Sequence, residues 1–276
     1  MDKIKPIKHL GQNFLIDKNT VRKVIKTADL KPEDIILEIG PGLGALTQEL
    51  AKKAKKIIAV EKDARMCQAL KEQLKDFDNI EIINQDILKF EIIKLFKNLK
   101  LKIKNYKIVA NLPFYITAPV IRKFLESKNP PKEMVLIIQK EVAQRICPRP
   151  PRLRQGYGGQ AKMSILAISV QFYAKAKIIS YISKKSFNPQ PKVDAAIIKI
   201  KLEKKYQADS AKFFKVVKAG FSQPRKQLIN NLSKKLKINK QKINSLLFSA
   251  GVEPTQRAET LTVQDWINLS NNIHCV

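Results

Sequence analysis

The segment Leu37-Glu38-Ile39-Gly40-Pro41-Gly42-Leu43-Gly44 constrains this chain more than any other. An apolar run enters a turn with glycine at every second position, and an amphipathic stretch follows. Such a pattern is a strand, a glycine turn and a helix start. It sets backbone N–H groups and a helix N-terminus beside whatever lies over the turn, and glycine lets that body approach the main chain closely. Glu61, Asp86 and the tetrapeptide Asn111-Leu112-Pro113-Phe114 follow, each at the end of a further apolar run.

Those runs, at 35–39, 57–60, 80–83, 107–110 and 134–138, are β-branched and nearly continuous, as strands buried on both faces are. They alternate with longer amphipathic stretches, which predicts an α/β fold with a parallel sheet. Before them, residues 1–20 read as a basic, loop-like arm containing Gly11-Gln12-Asn13-Phe14-Leu15. Asn19-Thr20 is expected to cap a first helix that carries Val21, Val24, Ile25 and Ala28 at helical spacing. Two more strand-like runs, 176–182 and 193–202, flank Phe187-Asn188-Pro189-Gln190-Pro191, where the prolines exclude both helix and central strand.

From about Glu203 the pattern turns helical with no convincing strand, so the expected organisation is one domain over 1–203 and a small helical domain over 204–276. The run Lys234, Lys235, Lys237, Lys240 and Lys242 in the second is either a solvated face or a binding face. The segment 148–161, with Arg149, Arg152 and Arg154, reads as a surface insertion or as a phosphate-binding loop.

Composition narrows the function. A formal charge of +29 on 276 residues exceeds what solubility needs and points to a polyanion. RNA, DNA and an anionic membrane surface all fit, and a lysine-rich bias accounts for part of the excess. No stretch approaches the ~20 apolar residues of a membrane span, and residues 1–19 lack a signal-peptide core. Cys67, Cys147 and Cys275 form neither a disulfide framework nor a Cys-x-x-Cys pair, and His9 and His274 are the only histidines. The expectation is a cytoplasmic, metal-free protein.

The glycine turn alone would also serve a nicotinamide dinucleotide. Its spacing, however, is Gly-x-Gly-x-Gly rather than Gly-x-Gly-x-x-Gly. Glu38 beside it disfavours a pyrophosphate and suits a ligand with a cationic amine, such as the amine of a methionine. Glu61 can accept both hydroxyls of a ribose, and Asp86 can accept from an adenine amino group. An exocyclic ring amine is a poor nucleophile because its lone pair is delocalised. In Asn111-Leu112-Pro113-Phe114, an amide oxygen and a proline-directed carbonyl can take its two hydrogens and turn the lone pair out of the ring plane. Phe114 can stack on that ring; Phe187 either closes it from the other side or is core.

With these residues in place, the chain resembles the small-subunit rRNA adenine N6-dimethyltransferases over nearly its whole length. The motifs are His9 to Leu15, the glycine turn, Asn111 to Phe114, Gln139 to Arg145, Phe187 to Asp194, Phe221-Ser222-Gln223-Pro224-Arg225-Lys226, and Gly251 to Leu261. The resemblance implies a class I, Rossmann-like methyltransferase with a mostly parallel seven-stranded sheet and a C-terminal helical RNA-recognition domain. It implies S-adenosylmethionine as cofactor, held by Gln12, Asn13, Leu15, Gly40, Gly42, Gly44, Glu61, Asp86 and Asn111. It also implies a target amine held by Asn111 and the Leu112 carbonyl beside Pro113, with Phe114 and Phe187 stacking on a flipped adenine. The implied substrate is a pair of adjacent adenosines in the 3′-terminal hairpin of small-subunit rRNA, within an immature subunit, and the implied state is a monomer.

Three departures stand out: Phe114 where many members have tyrosine, Pro224 where arginine is frequent, and the longer segment 148–161. The competing readings are a large-subunit rRNA adenine N6-methyltransferase, whose site is of the same kind, and a non-catalytic ribosome-assembly or nucleic-acid-binding factor.

Overall fold

The computed structural model describes residues 5–7, 10–93, 96, 106–147, 163–203 and 206–273; the segment 148–161, both histidines and Cys275 lie outside them. The chain divides into two compact units, residues 1–144 with 175–202, and residues 145–174 with 203–276.

The first unit is built on a seven-stranded sheet. In chain order the strands are β2 (Ile35–Ile39), β3 (Lys56–Glu61), β4 (Ile80–Asn84), β5 (Tyr106–Asn111), β6 (Glu133–Gln139), β7 (Ala174–Ile182) and β9 (Ala195–Leu202). Their order in space is β4-β3-β2-β5-β6-β9-β7. Pairings from β4 through β6 are parallel, and β9 joins β6 antiparallel. Ile57, Ile58, Ala59, Ile108, Val109 and Ala110 are fully buried, as the unbroken apolar runs require of strands covered on both faces. The chain runs outward from β2 through β3 to β4, then returns to the other side of β2 for β5 and β6. Strand order therefore reverses between β2 and β5, and the carboxyl ends of these strands flank the crevice where open α/β sheets bind ligands.

The first helix, Lys18–Ala28, buries Val21, Val24, Ile25 and Ala28 as the spacing predicts. Its cap is a correction: Asp17, not Asn19-Thr20, stands at the N-cap and accepts from the Asn19 and Thr20 N–H groups. Asn and Thr here are the donors that a cap must satisfy. At the far end, Lys107 of β5 reaches Ala28 O (3.0 Å) and Asp29 O (2.8 Å) and pairs with Asp34 (2.8 Å). Lys199 of β9 takes Thr27 O (3.0 Å) and Glu133 (3.1 Å). Two strand lysines thus satisfy the helix's orphan carbonyls and seat it against the sheet.

Phe14–Leu15 (β1) and Phe187–Asn188 (β8) form a two-residue antiparallel ribbon outside the main sheet, pairing Phe14 with Asn188 and Leu15 with Phe187. The ribbon ties the N-terminal arm to the proline-rich loop.

The second unit is helical: Ile165–Tyr173, Ser210–Gly220, Leu228–Leu236, Lys240–Ser249 and Val263–Asn272. Its later boundary falls where the composition changes, near residue 203, but it also takes in 145–174. Phe172 stacks on Phe213 at 4.3 Å, and Trp266 is wholly buried. A helix contributed from upstream of the change in pattern leaves no compositional mark of the unit to which it belongs.

Candidate active site

One pocket opens at the carboxyl ends of β2, β3, β4 and β5. The parallel register aligns those ends: Ile39 lies beside Val60 and Ala110, and Glu61 beside Asn84. Residues distant in sequence therefore line one cavity, among them Gln12, Asn13, Leu15, Gly40, Gly42 and Glu61. Asp86, the Asn111 to Phe114 tetrapeptide and Phe187 complete it. Gly44 is the exception among the expected residues. It does not line the cavity; a Cβ there would stand 2.9 Å from Leu70, and its φ is +78°, so it serves the packing of helix Ala64–Gln73.

The glycine turn shows why glycine is needed. Gly40 (φ +65°) and Gly42 (φ +58°) adopt left-handed backbone, and Gly40 N extends the β2–β3 ladder by bonding Val60 O at 3.0 Å. A Cβ on Gly42 would meet the Phe14 ring at 3.0 Å. Phe14, to which its sequence motif assigns no role, therefore covers the turn.

Glu61 is held by the backbone. Oε2 accepts from Gly42 N (3.3 Å) and Oε1 from Asp63 N (2.9 Å), while burial pushes its pKa up. Each oxygen keeps a second lone pair for a hydroxyl. Asp86 accepts from Leu88 N (2.9 Å) and pairs with Lys62 (3.0 Å); these partners, the backbone bond foremost, hold its pKa down. The loop that presents it is anchored by Lys123 of helix Thr117–Leu125, whose Nζ donates to Leu88 O (2.7 Å) and Phe90 O (2.8 Å). No motif marks Lys123, because its partners are about thirty-five residues away.

Glu38 is 1% exposed on the interior strand β2, and its Oε2 has no hydrogen-bond partner. Burial pushes its pKa up to about 8; the Thr47 hydroxyl opposes the shift and Glu61 adds to it. The acid lines the pocket, so a cationic amine would give that oxygen the partner it lacks.

The arm closes the site from above. Gln12 spends both ends of its amide inside the protein, accepting from Ile7 N and donating to Asp63 at 2.9 Å. Asp63 is also gripped by Arg65, which above all holds its pKa near 2. Asn13 O accepts from Asn111 Nδ2 at 2.9 Å. That bond fixes the orientation of the Asn111 amide and leaves Oδ1 as an acceptor. Phe114 is half-buried, and Phe187 is only 3% exposed. Among the described residues no group of three His, Cys, Asp or Glu could hold a metal, and no helix is long and apolar enough to cross a membrane.

Comparison with known proteins shows what the whole chain is similar to. The family model for ribosomal RNA adenine dimethylase matches residues 3–274. A ribosomal RNA small subunit methyltransferase A from Geobacillus kaustophilus is 40% identical over 271 residues, covering 96% of this chain and 89% of that one. A protein of the same name from Clostridioides difficile is 41% identical over 270 residues, covering 97% and 90%. Among solved structures, a dimethyladenosine transferase from Plasmodium falciparum is similar at TM-score 0.71 and 25% identity, over 93% of this chain and 95% of that one. The 23S rRNA methyltransferase ErmE is similar at TM-score 0.67 and 25% identity, over 94% and 99%.

Proposed function

The chain belongs to the ribosomal RNA adenine dimethylase family, and from that premise we propose how its residues act. It is a methyltransferase that modifies N6 of two adjacent adenosines in the 3′-terminal hairpin of small-subunit rRNA, during late subunit assembly. The cofactor is S-adenosylmethionine. The protein works in the cytoplasm as a monomer.

The donor set fits that cofactor. Glu38, with its unpartnered buried oxygen, receives the amine; Glu61 takes the ribose hydroxyls; Asp86 takes the adenine amino group. The glycine turn allows close approach, and Asn13 and Leu15 close the arm over it. When bound, the cofactor supplies an electrophilic methyl group on a sulfonium.

The observation that carries the reading is the fixed amide of Asn111, its Nδ2 on Asn13 O and its Oδ1 left to accept. Together with the Leu112 carbonyl, that oxygen takes the two N6 hydrogens and aims the nitrogen lone pair at the methyl group. Phe114 and Phe187 stack on the base. Extruding it costs roughly a few kcal/mol, which stacking worth about 1–3 kcal/mol per base offsets. Catalysis comes from positioning and aligned hydrogen bonds, in one in-line step with no covalent enzyme intermediate. N6 becomes acidic once alkylated, so water suffices as proton acceptor.

The ErmE likeness keeps large-subunit RNA as the informative control. Methyl-labelled cofactor is incubated with the protein and either immature small subunits or naked large-subunit rRNA. Label on the small subunit alone is expected. Label on large-subunit RNA alone would reassign the substrate, and no label on either would make the chain a non-catalytic factor.

A further inference from the structure

Three of the large apolar side chains that stand exposed line the rim of this same pocket: Leu43 (44% exposed), Leu88 (37%) and Tyr115 (54%). Tyr115 is the aromatic one, and it is held in place. It sits in the 3-10 turn Phe114–Ile116, closed by Ile116 N on Pro113 O at 3.1 Å. A Cβ on Gly11 would lie 3.1 and 3.3 Å from its ring carbons, and Gly11 has φ +62°, so glycine lets the ring rest against the arm's main chain. Lys62, half exposed, brings a cation to the same rim. Phe114 and Phe187 line the same pocket but are set deeper: Phe187 belongs to a buried hydrophobic cluster and Phe114 packs against it. Tyr115 is thus a pre-organised aromatic surface at the mouth, more exposed than either Phe114 or Phe187.

We propose that Tyr115 is a stacking subsite for the adenosine adjacent to the one being methylated. This rests on the methyl-transfer reading above. With one base of a tandem pair extruded into the pocket, its neighbour is brought to the mouth by the sugar–phosphate link. The neighbour is unmodified in one round and dimethylated in the next. A platform that meets the π-face of a purine, and leaves its amino edge alone, accepts both forms. Such a subsite lets one pocket serve two successive adenosines without a second recognition site.

A double-mutant cycle tests it. Wild type, Tyr115→Ala and Tyr115→Phe are assayed on immature small subunits whose rRNA carries either both adenosines or one adenosine beside an abasic nucleotide, in each order. Tyr115→Ala is expected to lower kcat/KM about tenfold or more on the intact pair. On at least one abasic substrate the difference from wild type collapses, and Tyr115→Phe behaves as wild type on all. Any disturbance of cofactor binding is common to both substrates and cancels in the cycle. An alanine penalty that is absent, or equal on intact and abasic RNA, overturns the subsite. A wild-type protein inert on the intact pair would instead refute the methyl-transfer reading itself.

Discussion

A carboxyl group on an interior strand, cut off from solvent and with one oxygen unpartnered, is costly to ionise. Glu38 therefore keeps its proton until about pH 8 in the folded protein, against an ordinary value of 4.5. Because the folded pKa is the higher one, the native state binds the extra proton between those values, and stability falls as pH rises through them. Glu38→Gln removes that dependence. Urea denaturation from pH 5 to 8 is expected to show the wild type losing up to about 1.4 kcal/mol per pH unit relative to the variant. Parallel pH profiles would contradict it. At this scale the sequence was informative where a residue type has one use. An acid before a glycine turn and an amide before proline announce themselves. Phe14, Lys123 and Tyr115 do not, because each acts through partners that only the fold supplies.

Among elements, the strands were legible because burial on both faces leaves an unbroken β-branched run. The ribbon β1–β8 was not: two residues a side carry no period, and the pairing spans more than 170 positions. Nor does anything in the sequence mark Lys107 and Lys199 as caps until the helix they serve is in place. The loop carrying Asp86 illustrates how one element positions another. Lys123→Met removes two backbone anchors from it and is expected to weaken cofactor binding several-fold by calorimetry, with Lys123→Arg retaining most of the affinity. Unchanged affinity in the methionine variant would separate the loop from the anchor. In the second unit, Gly220 closes a helix against Trp266, and a Cβ there would lie 2.4 Å from the indole. Alanine gains about 1 kcal/mol of helix propensity but overpacks a core, which typically costs 1–3 kcal/mol. Gly220→Ala should lower the melting temperature; a rise would show that the indole moves freely.

For the whole molecule, the positive charge and the pocket do different work. The formal +29 governs encounter with a polyanion and predicts that affinity for small-subunit RNA falls linearly with log salt, by orders of magnitude between 50 and 200 mM if about six phosphates are contacted. Cofactor affinity, set inside the pocket, should change little over the same range, and a flat RNA titration would remove the charge from recognition. The pocket lies at the crevice where strand order reverses. The most direct measurement is a nucleoside digest of rRNA from immature small subunits treated with wild type or Asn111→Ala, with cofactor affinity recorded for both. The wild type is expected to yield N6,N6-dimethyladenosine, and the variant to lose at least 10²-fold at near-normal cofactor affinity. Wild-type yield of dimethyladenosine from Asn111→Ala would contradict it.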